Sequence, residues 1–312
     1  MISQRISLIE GRDDVTLTAY VLDDSPEMLR GGARPAVIVC PGGAYIGCSD
    51  REGEPVALRF NAMGYHAFVL RYSVYTENKG GDAWSAIGDD PAPKKWLSHP
   101  APMRDIARAM LKIREHAEDW RVDMDRVALC GFSAGAHNCA MYSVYWDKPI
   151  LTEHFGVDKA QLKPAAAILA YPLIDYLYMK DAVQAMDEKD RALLELCSLA
   201  FLGERTPDDD ALRAASPCYH VGAHTPPTFI WSTAADALVP IAHSIRMADA
   251  LARAGVPFEM HIFEEGAHGM GLADQTSAAN LSQIDENAAK WAGLAEAWLR
   301  KRFALKLPQG GA

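Results

Sequence analysis

The chain has 312 residues, 49% of them hydrophobic and 23% charged, the balance of a globular protein long enough to bury a sizeable core. Its 31 Lys and Arg against 41 Asp and Glu give a formal charge of -10, and no basic block offsets that field, so neither nucleic acid nor anionic membrane is an expected partner. Six scattered cysteines, with no CxxC pair and no Cys/His cluster, exclude a small disulfide-stapled scaffold and point to free thiols rather than to a metal site.

The N-terminal stretch MISQRISLIEGRDD lacks the apolar run and small-residue cleavage site of a signal peptide, and the longest apolar runs, such as 165–174, fall short of a membrane span. A cytoplasmic location is therefore expected. Alternating residues at 4–10 and 15–22, separated by Gly11-Arg12-Asp13-Asp14, read as a β-hairpin. The continuous apolar run 36–40 suits a strand buried on both faces, and the glycine-rich turn PGGAYIG (41–47) follows it. A helix over 54–63, ended by Gly64, leads to a strand over 66–73. From Val74 to Pro102 there is no period, which marks a long loop carrying Trp84 and Trp96.

Ile106, Ala109, Met110, Ile113 and Ala117 recur at helical spacing over 102–120. A buried strand at 126–130, a helix at 134–146 and a strand at 165–172 come next. Residues 176–218 are polar-rich and helical in pattern, then a strand (228–233), a helix (243–255), a strand (257–264) and a last helix (280–300) complete the alternation. This order predicts an α/β fold with a mostly parallel, doubly wound sheet of about eight strands. One domain over 1–312 with a helical insertion or lid near 176–218 is expected, since no linker separates two cores.

Gly131-Phe132-Ser133-Ala134-Gly135 matches G-x-S-x-G between an apolar strand and a helix, the context this motif requires. Glycines stand two residues before and two after the serine because a strand turning sharply into a helix brings backbone too close there for a side chain. A serine hydroxyl becomes a nucleophile only when a base takes its proton and an acid orients the base. Asp236 follows the strand at 228–233 and His268 follows the strand at 257–264, in the order Ser, Asp, His. Asp175 is an alternative acid, and His243 and His261 are alternative bases. His137, one helical turn after Ser133, reads as a packing or hydrogen-bonding residue. An oxyanion needs preorganised backbone donors: Ala134, next to the nucleophile, and Gly43 or Ala44 in the turn after the strand at 36–40.

CPGGAY, GFSAG, ASPCYHV (215–221), STAADALVP and EEGAHGMG resemble the esterase branch of the α/β-hydrolase superfamily, in particular the bacterial acetylxylan-esterase-like and feruloyl-esterase-like carboxylesterases. The sequence departs from the lipase-like HGGG pattern, with Pro41 at the histidine and Ala44 at the third glycine. The resemblance implies a catalytic triad of Ser133, Asp236 and His268, with Gly43, Ala44 and Ala134 in the oxyanion roles. It implies hydrolysis of short acyl esters, acetyl above all, on xylo-oligosaccharides or related sugars through an acyl-enzyme on Ser133, with no metal or organic cofactor. Tyr45, Trp84 and Trp96 are the candidate aromatic surfaces for sugar rings. Homo-oligomers occur among such enzymes, and nothing in the sequence marks an interface. The same triad would also serve arylformamidase- or peptidase-like amide hydrolysis. A non-catalytic receptor on a hydrolase fold is the reading from another class, and retention of all three triad candidates argues against it.

Overall fold

The computed structural model describes residues 1–79, 87–88 and 90–308, so Trp84 lies outside the described residues. The opening hairpin pairs β1 (Ile2–Ile9) with β2 (Arg12–Val21), and Gly11 takes the positive φ of +75° that its turn requires. Six strands follow: β3 (Arg34–Cys40), β4 (His66–Arg71), β5 (Val122–Phe132), β6 (Ala166–Ala170), β7 (Thr228–Thr233) and β8 (Phe258–Phe263). All eight form one sheet in the order β1-β2-β4-β3-β5-β6-β7-β8. The hairpin joins it antiparallel through β2 and β4, and every pairing from β4 to β8 is parallel.

Helices cover both faces, which is why β3 and β6 are buried at every position. Side chains alternate across the pleat, so Ala36, Ile38 and Cys40 face α2 (Ala101–Glu115) and α3 (Ala134–Tyr145), whereas Val37 and Val39 face α1 (Glu54–Ala62) and the C-terminal helix. After α4 (Pro149–Phe155) and β6, the chain runs through α5 (Tyr176–Ala182), α6 (Glu188–Leu202) and α7 (Asp209–Ala214) before re-entering the sheet at β7. Then α8 (Ala242–Arg253) links β7 to β8, and α9 (Trp291–Phe303) closes the fold. The Trp291 ring stacks on Trp231 of β7 with centroids 5.2 Å apart, fastening α9 to the sheet.

The last helix starts at Trp291, not near 280, and the correction has a local cause. Asn280 Oδ1 accepts from the Ser282 N–H, and Asp285 Oδ1 accepts from the N–H groups of Asn287 and Ala288. Short polar side chains that capture nearby amides break the helical ladder into isolated turns. Among the described residues no helix is long and apolar enough to cross a membrane. Because β3, β5, β7 and β8 run parallel, the segments leaving them emerge on one edge of the sheet, the position at which ligands bind in open α/β sheets.

Candidate active site

Ser133 sits between the end of β5 and the start of α3 with φ +51° and ψ −118°. That is a costly conformation for a non-glycine residue, maintained here because its neighbours leave no alternative. A Cβ on Gly131 would lie 2.3 Å from the Gly135 carbonyl oxygen, and one on Gly135 would lie 2.1 Å from that of Cys40. The motif glycines are thus required by close backbone approach, not by positive φ. The Ser133 N–H donates to the Ala170 carbonyl at 3.0 Å, which ties the elbow to β6.

Asp236 lies in the loop after β7 and is buried. Its Oδ1 accepts from the N–H groups of Leu238 and Val239, at 3.0 and 2.9 Å, which fixes the carboxylate. Its Oδ2 receives His268 Nδ1–H at 2.7 Å, leaving Nε2 as the acceptor for the Ser133 hydroxyl, also at 2.7 Å. The three residues expected from the sequence therefore form one continuous relay. Burial alone would lower the His268 pKa. The Asp236 charge and hydrogen bond, with a smaller contribution from Glu52, outweigh it and hold the imidazole above its ordinary 6.5. A base works only when neutral, so kcat/KM is expected to fall with decreasing pH along an acid limb centred above 6.5. A pH–rate profile checks this, and a limb centred below 6.5 would contradict it.

The alternatives are engaged elsewhere. Asp175 caps α5 through the Tyr178 N–H and binds Arg246 and the Tyr219 hydroxyl, each at 3.1 Å. His243 Nδ1 accepts from the N–H groups of Ile174 and Asp175, and burial pushes its pKa down to about 4. His261 pairs with Glu259. His137 is fully buried, donates from Nε2 to the Ala215 carbonyl at 2.8 Å and accepts the Tyr45 hydroxyl on Nδ1 at 2.6 Å.

In the turn after β3, Gly43, Ala44 and Tyr45 all have positive φ, at 129°, 55° and 59°. The N–H groups of Gly43, Ala44 and Ala134 have no hydrogen-bond partner among the described residues, as an oxyanion site requires. Ala44 and Ala134 line a cavity of about 30 Å³ beside Ser133, and Gly43 does not line it. The remaining lining is largely apolar, from Leu173, Tyr176, Leu193, Leu194, Cys197, Leu238 and Val239. Leu193, Leu194 and Cys197 belong to α6, within the helical insertion expected near 176–218, but sequence reasoning did not single them out. A larger apolar pocket of about 330 Å³ under α5 and α6 shares Leu173, Tyr176, Leu194 and Cys197 with the cavity.

The aromatic expectations need correcting at Tyr45. It lines the cavity, but its ring is buried against Phe201 at 4.4 Å and its hydroxyl is spent on His137, so it offers no open face to a sugar. Trp96 is 55% exposed, lies 5.1 Å under the Arg12 guanidinium and does not line the Ser133 cavity.

The BD-FAE family model matches residues 94–251, just over half of the chain. The chain belongs to the BD-FAE family. It is 31% identical over 297 residues to endo-1,4-beta-xylanase B of Butyrivibrio fibrisolvens, an alignment covering 93% of this chain and 39% of that protein. Curated relatives are longer, and the alignments span between 39% and 52% of their length. Among solved structures, the carboxylesterase Cest-2923 from Lactobacillus plantarum WCFS1 superposes with a TM-score of 0.76 at 27% identity, covering 100% of both chains. An acetyl ester-xyloside bifunctional hydrolase from Caldicellulosiruptor lactoaceticus gives 0.70 at 29% identity, covering 96% of each. The fold of this BD-FAE member is that of the α/β hydrolases.

Proposed function

We propose that the chain is a serine carboxylic ester hydrolase that removes short acyl groups, acetyl above all, from xylo-oligosaccharides or related sugars. The observation that carries the reading is the Ser133–His268–Asp236 relay opening on a small apolar cavity. His268 takes the Ser133 proton as Oγ attacks the ester carbonyl. The backbone N–H groups of Ala134 and of Ala44 or Gly43 stabilise the oxyanion. The alcohol then leaves with the proton from His268, and water repeats the sequence on the acyl-enzyme.

Size supports the choice of acyl group. A water needs roughly 10–15 Å³ of such cavity volume, so the space beside Ser133 holds about two small groups, enough for a methyl and its carbonyl. Longer chains would have to displace the wall formed by Leu193, Leu194 and Cys197. The sugar part of the reading rests on the xyloside and xylanase names of two relatives.

Across 4-nitrophenyl acetate, butyrate and octanoate, kcat/KM is expected to drop at least about tenfold at each step, the scale on which a full apolar pocket rejects extra methylenes. Acetylated xylo-oligosaccharides should release acetate at rates that Ser133→Ala abolishes. Octanoate cleaved as fast as acetate would overturn the short-acyl reading. Aryl acetate turnover without acetate release from the oligosaccharide would overturn the sugar reading, and cleavage confined to amides would overturn the esterase reading.

A further inference from the structure

We propose that Arg51 and Glu52 are a positioning pair that holds the oxyanion turn and the His268 loop in mutual register, an inference that rests on the serine-hydrolase reading above. Both lie on the single 3₁₀ turn Asp50–Glu52, between the glycine-rich turn and α1. Glu52 is only 3% exposed, and its carboxylate takes hydrogen bonds from neutral groups on opposite sides of the site. Oε2 accepts the Gly42 N–H at 2.8 Å, and Oε1 accepts the Tyr171 hydroxyl at 2.7 Å. A carboxylate withdrawn from water is unfavourable unless its oxygens are satisfied, so this one is retained for what it joins.

On one side it joins the oxyanion turn. Gly42 immediately precedes Gly43 and Ala44, and a Cβ there would lie 2.8 Å from Glu52 Oε2 and 3.0 Å from Ser133 Cβ. The turn is therefore pressed between Glu52 and the nucleophile. On the other side, the Tyr171 hydroxyl that donates to Glu52 accepts the Gly271 N–H at 2.8 Å, and the Tyr171 ring packs edge-on to His268 with centroids 5.1 Å apart. Tyr171 holds this place at a φ of +38°. Arg51 grips the same loop, donating to the carbonyl oxygens of Gly269 and Ser277, each at 3.0 Å. One short turn thus fixes residue 42, ahead of the oxyanion donors, and residues 269 and 271, both just after His268. The nucleophile–base distance and the oxyanion position are set together rather than by separate loops.

Glu52→Gln keeps the volume but turns one acceptor oxygen into an NH2. With its remaining oxygen on the Gly42 N–H, the amide can only donate to the Tyr171 oxygen, which already accepts from Gly271, so the buried Tyr171 O–H loses its acceptor and the Tyr171–Gly271 contact is loosened. Displacing catalytic parts by about an ångström costs on the order of 100-fold, so kcat toward 4-nitrophenyl acetate is expected to fall roughly 10- to 100-fold per active site, with KM changed less than about threefold. Active sites are counted by end-point titration with a fluorophosphonate. Affinity for phenylboronic acid, whose tetrahedral adduct occupies the oxyanion site, should fall in the same proportion as kcat/KM. Tyr171→Phe, which removes only the connecting hydroxyl, is the second variant and should show the same split with a smaller loss of about five- to tenfold. A merely structural role would lower the titrated fraction and the melting temperature while leaving kcat per titrated site and boronate affinity within twofold, and that result overturns the proposal. Wild-type protein that neither reacts with the fluorophosphonate nor cleaves esters sinks the serine-hydrolase reading itself, and the pair's role with it.

Discussion

Ser133→Ala is expected to lower kcat toward 4-nitrophenyl acetate by roughly 10⁴- to 10⁶-fold while leaving the melting temperature within about two degrees. The activity loss follows from the relay. Oγ is the only atom removed, and it is the atom that His268 Nε2 faces at 2.7 Å. Stability is spared because the Cβ and the strained backbone at φ +51° are common to both residues. His268→Ala should cost about as much, and the double variant should be no worse than either single one, because residues that act as one unit are not additive. Additive losses would mean that the two side chains serve separate steps. A loss of only about tenfold would mean that the hydrolysis is not carried by Ser133.

That relay was legible in the sequence because each member announces itself locally. Ser133 lies in a strand–motif–helix context, and Asp236 and His268 fall just past the ends of strands in the order the fold requires. The sheet was legible for the same reason: runs such as 36–40 are apolar at every position, as only strands covered on both faces are. What was missed depends on partners distant in the chain. Glu52 precedes a helix and reads as an ordinary acidic residue at a helix start. Its burial is decided by Gly42 and by Tyr171, the latter 119 residues away. The helical pattern over 176–218 marks an insertion, but no pattern tells that Leu193, Leu194 and Cys197 of α6 line the cavity beside Ser133. Tyr45 reads as a candidate sugar-stacking surface because an aromatic in a glycine-rich turn has no local sign of the His137 and Phe201 side chains that enclose it.

Gly135→Ala is expected to be the most destabilising single-methyl change in the site, on the order of 4 kcal/mol or more. The added Cβ would lie 2.1 Å from the Cys40 carbonyl oxygen and 2.4 Å from that of Pro41. Both obstacles are backbone at the end of β3, where the oxyanion turn begins, so no side chain can swing aside to relieve them. Either α3 withdraws from the sheet or β3 is displaced, and each movement separates Ala134 from Ala44. The variant should therefore be poorly soluble or melt roughly eight degrees or more below wild type. Any folded fraction should have lost on the order of 100-fold in kcat/KM through misplacement of the donors. Gly293→Ala in α9 is the matched control, since nothing lies within 4 Å of its added Cβ and the residue is exposed. That change should stabilise by up to about 1 kcal/mol, the helix-propensity difference between the two residues. Opposite signs for the same methyl group would locate the constraint in the approach of α3 to β3. A Gly135→Ala protein as stable and active as wild type would mean that α3 is free to slide, and that the elbow does not depend on the close backbone contact.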